Sequence, residues 1–380
     1  MRTGSVMAMA AGGAALAGAI RARRAKARVV RDFNAWSGST EAWPSVDGIP
    51  ARCPAYVNRV ELFGSFHPAD RAAVEGALPS DAVRPVRLPD GRAIMFVGGL
   101  HYRDITSAAF SGAMTLPYGE VMIAAMVSRG DAPPLLPLVA GMLPLPAAWR
   151  AGMFQLALPV TQRWTRDSAW AMGLPKFVAD LDFEERADAR EVRVVEGGRS
   201  ILRLRVPTGG GVRLAHAPML TFAASEGTLF VVESPVLAYQ HVGLGGRGVE
   251  LELGDHPVAQ RARDLGLSPD AVGTLSWVAG RVILPDRRAI GPARPFPAYR
   301  GEDRWFGRYT IRYPGTEPVD QYAYLTRPGI ERAILRGGGQ LLPDYASLDG
   351  ELDGAFEPPG ATRRLDDTSR DLRPAARVRT

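Results

Sequence analysis

Chemistry in this sequence centres on a single amine. The chain holds 46 lysines and arginines, yet only Lys26 and Lys176 are lysines. A guanidinium keeps its proton, with a pKa above about 12, so it cannot attack a carbonyl carbon. A lysine retained in the body of so arginine-rich a chain is therefore the residue type able to form an imine with a ketone. Lys26 sits in a basic tail. Lys176 follows Trp170-Ala-Met-Gly-Leu-Pro and precedes Phe177-Val178, an apolar setting on both sides. An ammonium buried without a partner is costly to keep charged. The plainer reading is a lysine at a strand end, its stem on apolar surface and its head in water.

Other polar groups offer less specific chemistry. Tyr118 can donate to a substrate oxygen or simply pack at a strand end. Arg166 can meet a carboxylate or lie solvated at a helix start, and Trp170 can stack on a ligand or fill the core. The five histidines (His67, His101, His216, His241 and His256) show no metal-ligand spacing. Gly243-Leu-Gly-Gly-Arg-Gly248 matches G-x-G-x-x-G literally, but a dinucleotide site needs a helix next. The alternating Val-Glu-Leu-Glu-Leu that follows reads as a strand, so the glycines read as a hairpin turn. No cofactor is expected from any of these segments.

Gly173-Leu-Pro-Lys176 resembles the (Gly/Ala)-(Phe/Tyr)-Pro-Lys motif of the acetoacetate decarboxylase family. Pro117-Tyr-Gly-Glu120, with VMIAAMV after it, resembles the segment carrying that family's pocket glutamate. VELELGDHPVAQRARDLGL (249–267) and WVAGRVILP (277–285) are similar to its late helix and closing strand in order and spacing. The resemblance covers roughly residues 56–290. It implies a closed β-barrel that assembles as a homo-oligomer, with Lys176 as Schiff-base nucleophile and Glu120 as its acid/base partner. Phe177 stands where the family pattern has a second lysine, and 61–68 (ELFGSFHP) holds no clear match to the family arginine. The Glu120–Lys176 spacing of 56 residues is also longer than usual. The implied reaction is a carbon–carbon lyase step on a keto acid or keto compound, either decarboxylation or related aldol or dehydration chemistry. The alternative is a barrel that binds an apolar small molecule without turnover, with or without association with a membrane.

The elements that must position these groups are mostly strands. With 42 glycines and 31 prolines, the chain suits short strands and tight turns. Asn58–Phe66, Arg92–Gly98, Glu120–Val127, Met153–Val160, Phe177–Phe183, Val192–Val195, Ile201–Val206, Leu229–Ala238, Val249–Leu253 and Leu275–Leu284 read as strands. Helices are expected after Pro68, at 166–172 with Thr165 as cap and Gly173 as terminator, and from Pro257. Helices and strands do not alternate as βαβ units, so the predicted class is mainly β, a barrel with a few short helices.

The predicted organisation is an extension over 1–49, a barrel domain over 50–295, an appendage over 296–349 and a disordered tail over 350–380. Residues 1–31 carry seven basic residues and no acid, which leaves the remaining chain near neutral. That distribution gives no footprint for nucleic acid. The small apolar stretch 5–20 is short for a spanning helix, and the basic run follows it, unlike a signal peptide. A frayed extension and a membrane-surface anchor over 5–31 both remain open. Pro133–Pro146 is an apolar, proline-broken insertion that reads as a lid, an oligomer contact or a membrane-facing loop. A single cysteine, Cys53, excludes an intramolecular disulfide and fits a cytoplasmic protein, with or without peripheral membrane contact.

Overall fold

The computed structural model describes residues 42–46, 49–52, 55–107, 117–130, 151–209, 212–215 and 219–323. The apolar and basic stretch 5–31, the insertion 133–146, His216 and the tail lie outside the described residues. Twenty strands are formed: β1 (Ala42–Val46), β2 (Ile49–Arg52), β3 (Ala55–Ala69), β4 (Arg84–Pro85), β5 (Ala93–Ser107), β6 (Tyr118–Ser128), β7 (Ala151–Val160), β8 (Lys176–Val178), β9 (Asp180–Glu185), β10 (Ala189–Glu196), β11 (Arg199–Pro207), β12 (Val212–Ala215), β13 (Met219–Ser225), β14 (Thr228–Ser234), β15 (Val236–Leu244), β16 (Glu250–Leu253), β17 (Gly273–Leu284), β18 (Arg288–Pro292), β19 (Tyr309–Arg312) and β20 (Val319–Asp320). Among the described residues three short helices interrupt them: α1 (Arg71–Ala77), α2 (Arg163–Ala171) and α3 (Pro257–Asp264).

The mainly β class is what the chain adopts. Twelve strands form one large sheet in the order β12-β15-β17-β3-β5-β6-β7-β13-β14-β18, with β4 added on β6 and β8 on β7. A six-stranded sheet, β16-β11-β10-β9-β19-β20, packs against it. Among the described residues the path ends at β12 and β18 without pairing them. The described strands thus form a curled half-barrel with the second sheet against it, in keeping with the mainly β barrel expected. Curling is local to long strands: the Phe96 ring lies where side chains at Gly64 and Gly98 would begin, within 2.3 and 2.6 Å of a Cβ there.

The central strands are covered on both faces, which explains their nearly unbroken apolar sequences. Phe63, Met95, Val97, Val121, Ile123 and Phe154 face the second sheet. Their alternates Leu62, Ile94, Phe96, Met122, Leu158 and Val160 form a separate cluster on the opposite face. Side chains of period two keep the two cores distinct, and a one-residue slip would exchange them.

Several boundaries differ from expectation for identifiable reasons. Pro68 lies within β3, which runs on to Ala69, and α1 is capped by Asp70, whose carboxylate accepts from Ala73 N at 2.7 Å. Thr165 lies inside α2 and bonds back to the Gln162 carbonyl at 2.9 Å, so it is not the cap. The span 229–238 is two strands, because Pro235 has no N–H for a ladder. Gly243–Gly248 joins β15 to β16, which belong to different sheets, so the turn is a crossover and not a hairpin. The β1–β2 pair straddles the boundary drawn at 49/50. The segment assigned to an appendage from 296 is, through Tyr322, part of the main packing: Trp305, Tyr309, Ile311 and Tyr322 are buried in the core between the sheets.

His67 illustrates the electrostatic consequence of this packing. Its ring is buried between Ser65 Oγ at 2.7 Å and the Ser268 carbonyl at 2.9 Å, and burial lowers its pKa from 6.5 to about 4. Below about pH 6.5 the unfolded chain takes up a proton that the folded chain refuses, so stability falls with pH until about 4 and then levels. His67 contributes at most roughly 3 kcal/mol to that fall. Urea unfolding at pH 7 and pH 4 should show a loss that His67→Gln reduces. Equal losses in the two proteins would show that the ring is not held neutral.

Candidate active site

Two local sequences meet at the site, and each is positioned by a backbone constraint. The first is the end of α2. Gly173 takes φ +81°, where a side chain is strained, and closes the helix: its N–H donates to the Trp170 carbonyl, and the Leu174 N–H to the Ala169 carbonyl, both at 2.9 Å. The expected terminator is therefore the observed one. Pro175 then leads directly into β8, where Lys176 pairs in parallel with Leu158 and Phe177 with Pro159. Trp170 Nε1 donates to the Lys176 carbonyl at 2.7 Å, tying the helix to the first residue of the strand.

The second is the start of β6. Tyr118 pairs with Tyr102 and Glu120 with Leu100 on β5, while Glu120 faces Val160 on β7. Gly119 sits between them with its Cα against Phe183 and Tyr309 of the second sheet; a Cβ there would lie 2.9 and 3.0 Å from those rings. The Gly119 N–H donates to Thr161 Oγ1 at 3.1 Å, and Thr161 Oγ1 is 2.6 Å from Tyr322 Oη. Gln162 Nε2 donates to the Pro117 carbonyl at 3.0 Å and to Tyr322 Oη at 2.9 Å, so the entrance of α2 is bonded to the entrance of β6.

Lys176 and Glu120 thus flank β7 from opposite sides, on strands two spacings or about 10 Å apart. Their side chains reach across β7 and meet: Nζ lies 2.6 Å from Glu120 Oε2, with side-chain exposures of 10% and 5%. The contact is a close ion pair outside hydrogen-bonding alignment. Around it are Tyr118, whose ring centre is 5.3 Å from Nζ, and Tyr102, stacked on Tyr118 at 4.4 Å. Burial, with the Glu120 charge adding to it, pushes both phenols well above the ordinary tyrosine range. At neutral pH they are therefore hydrogen-bond donors. Phe177 points the other way, into the core between the sheets, with its ring 4.9 Å from Tyr299.

The sequence candidates divide accordingly. Lys176, Glu120 and Tyr118 come together. Arg166 does not offer itself to a ligand carboxylate: Asp167 holds its Nε at 2.5 Å and Asp303 its Nη1 at 3.1 Å. Trp170 is no open stacking platform either, because the guanidinium groups of Arg166 and Arg300 lie 4.7 and 4.5 Å from its ring centre. Its role is the bond to the Lys176 carbonyl. Tyr102, Thr161, Gln162 and Tyr322 were not singled out from sequence; only the Tyr102–Tyr118 cross-strand pairing brings the first of them in. Two cavities bounded by described residues, of about 290 and 350 Å³, lie elsewhere, the first against α3 and the second around Arg59, Arg103 and Arg190. Among the described residues no three His, Cys, Asp or Glu side chains converge as a metal site. No described helix is long and apolar enough to cross a membrane.

No family model matches the chain, and no curated protein matches it. Several solved structures are similar to part of it. Acetoacetate decarboxylase from Legionella pneumophila subsp. pneumophila str. Philadelphia 1 is 14% identical over 68% of this chain and 97% of its own, with a TM-score of 0.47. An acetoacetate decarboxylase-like enzyme from Sphingomonas wittichii RW1 is 15% identical over 67% of this chain and 100% of its own, with a TM-score of 0.43. The enduracididine biosynthesis enzyme MppR complexed with pyruvate is 14% identical over 63% of this chain and 91% of its own, with a TM-score of 0.47. Identities this low leave the function of the site to be read from its own residues.

Removing either partner strands a buried charge, which costs about 3–5 kcal/mol, whereas replacing both with apolar groups costs little or stabilises. Lys176→Met and Glu120→Leu should each lower stability in urea unfolding by about that amount. The double variant should lose less than either. Additive losses would show that the two side chains do not depend on each other.

Proposed function

We propose that the chain is a Schiff-base-forming lyase acting on a keto acid or keto compound, with Lys176 as nucleophile and Glu120 as its proton partner. The observation that carries this reading is the buried amine of Lys176, the single lysine outside the basic N-terminal tail, held 2.6 Å from one carboxylate on a largely apolar face. The resemblance of Gly173-Leu-Pro-Lys176 and Pro117-Tyr-Gly-Glu120 to the two site segments of acetoacetate decarboxylases supports the same assignment.

The chemistry follows from the neighbours. Glu120 accepts the proton that the ammonium must shed, and the amine nitrogen then adds to the substrate carbonyl carbon. The nitrogen gives up one proton to the oxygen, which forms the carbinolamine, and Glu120, now protonated, supplies the second as water leaves, which yields an iminium. Cleavage of the bond between the α-carbon and its substituent sends the electron pair into the iminium and leaves an enamine. In decarboxylation the departing group is CO₂, and in retro-aldol cleavage a carbonyl fragment that first gives up its hydroxyl proton. Protonation at carbon and hydrolysis return the product and the free amine. Tyr118, whose ring centre is 5.3 Å from Nζ, is the candidate donor to the substrate oxygen before water departs. Since Arg166 is committed to Asp167 and Asp303, it supplies no pairing for a substrate carboxylate. Keto compounds bound through other contacts therefore fit better than acetoacetate.

Reductive trapping tests the reading. Incubation with a panel of ketones and β-keto acids followed by borohydride should add the reduced ketone's mass to the peptide containing Lys176. Lys176→Ala should abolish the adduct, and Glu120→Gln should slow its formation by about 10²-fold or more, the usual range for a general acid–base. Absence of an adduct with every carbonyl compound would contradict the proposal.

A further inference from the structure

The face that carries the Lys176–Glu120 pair also holds a buried amide that the proposed chemistry does not use. Gln155 on β7 is buried, with 2% exposure. Its amide nitrogen lies 3.7 Å from Met122 Sδ, and among the described residues its Oε1 has no hydrogen-bond partner. A thioether only accepts, so the nitrogen end must face the sulfur, and the unsatisfied atom is the carbonyl oxygen. An orphaned buried acceptor has lost its water and gained nothing in return, so a side chain kept in that state calls for an explanation.

A bulge puts Gln155 on this face. Pairing of β6 with β7 runs Glu120 to Val160 and Ile123 to Ala157, but then Ala124 to Gln155, so β7 carries one extra residue. Leu156 and Ala157 both turn to the core between the sheets, while Leu158 lies on the opposite face. Gln155 contacts Met122, which is on that opposite face two residues along β6 from Glu120. Two strand residues span about 7 Å. An internal water would need two to four polar partners, whereas Gln155 pairs across the strands with Ala124 and its side chain lies against Met122, both apolar members of this face. A donor delivered by a ligand satisfies the oxygen with one bond.

We infer that Gln155 determines substrate specificity: Oε1 accepts a hydrogen bond from a hydroxyl or N–H carried about 7 Å from the ketone carbon. This inference rests on Lys176 being the amine that meets the carbonyl. The substrate is then a keto compound with a polar-tipped chain, and purely aliphatic ketones of the same length are discriminated against. A site built to receive a hydrogen bond rejects the isostere lacking it, because its own polar group stays unpaired.

The test is direct binding to the full chain, read by titration calorimetry, with 7-hydroxyheptan-2-one and its methyl isostere octan-2-one. The wild type should prefer the hydroxy ketone by at least about tenfold, the equivalent of one satisfied buried hydrogen bond. Gln155→Met, close in shape but lacking the carbonyl, should erase that preference, and Gln155→Glu, which keeps an acceptor, should restore it. Circular dichroism and thermal melting confirm that each variant is folded. Equal binding of both ketones by the wild type, no binding of either, or a preference that survives in Gln155→Met would each overturn the inference. Borohydride trapping in the same samples separates the two ideas. A hydroxyl preference without a Lys176 adduct keeps the Gln155 assignment and rejects the lyase, whereas an adduct without a preference does the reverse.

Discussion

Two opposite charges held away from water on an apolar sheet face are the constraint to which the rest of the site answers. Desolvating an ammonium and a carboxylate costs several kcal/mol each, and their attraction offsets this only in good geometry. Neither Lys176 nor Glu120 would be tolerated in that position alone. The surroundings therefore have to hold both side chains over β7, and much of the local architecture does so. Gly173 turns the helix end, Trp170 fixes the Lys176 carbonyl, and Gly119 lets the second sheet press against β6 directly behind Glu120. For a Schiff-base enzyme the same pairing has a chemical meaning, because the acceptor for the amine's proton is already in contact.

The two-sided burial of the central sheet separates supporting and reacting residues by parity. Along β6, Tyr118 and Glu120 face the site while Gly119 and Val121 face the second sheet. Along β8, Lys176 faces the site and Phe177 the interior. Phe177, at the position expected to hold a second lysine, points at Tyr299 and is not an empty place beside the amine. The second sheet thus acts as a buttress. Its Phe183 and Tyr309 press on Gly119, and Tyr322 closes the bonds that join the two halves of the site.

The Lys176–Glu120 contact was legible because its signals are local. A lone body lysine in an arginine-rich chain, and a tetrapeptide in which glycine and proline set the backbone, can be read without knowing what lies opposite. Strand positions were legible for the same reason, since apolar runs bounded by turns mark buried strands. What was not legible depends on partners distant in sequence. Gln162 bonds to residues 45 positions before it and 160 after it, and Tyr102 acquires a role only through its register with Tyr118. Arg166 looked available because nothing in its own neighbourhood reveals Asp303, 137 residues away. The packing of Trp305, Tyr309 and Tyr322 was hidden by the proline-rich stretch before them, which reads as a boundary although the chain returns to the core.

The scarcity of lysine makes the central claim directly observable. In a protein labelled with ¹⁵N at the lysine side chain, only two Nζ signals exist, from Lys26 and Lys176. If Lys176 is sequestered against Glu120, one signal should exchange protons with water far more slowly than the other. It should move on Glu120→Gln and shift to the imine range when a ketone is added. Two signals exchanging alike, both indifferent to Glu120→Gln, would place the Lys176 amine in open solvent and contradict the account.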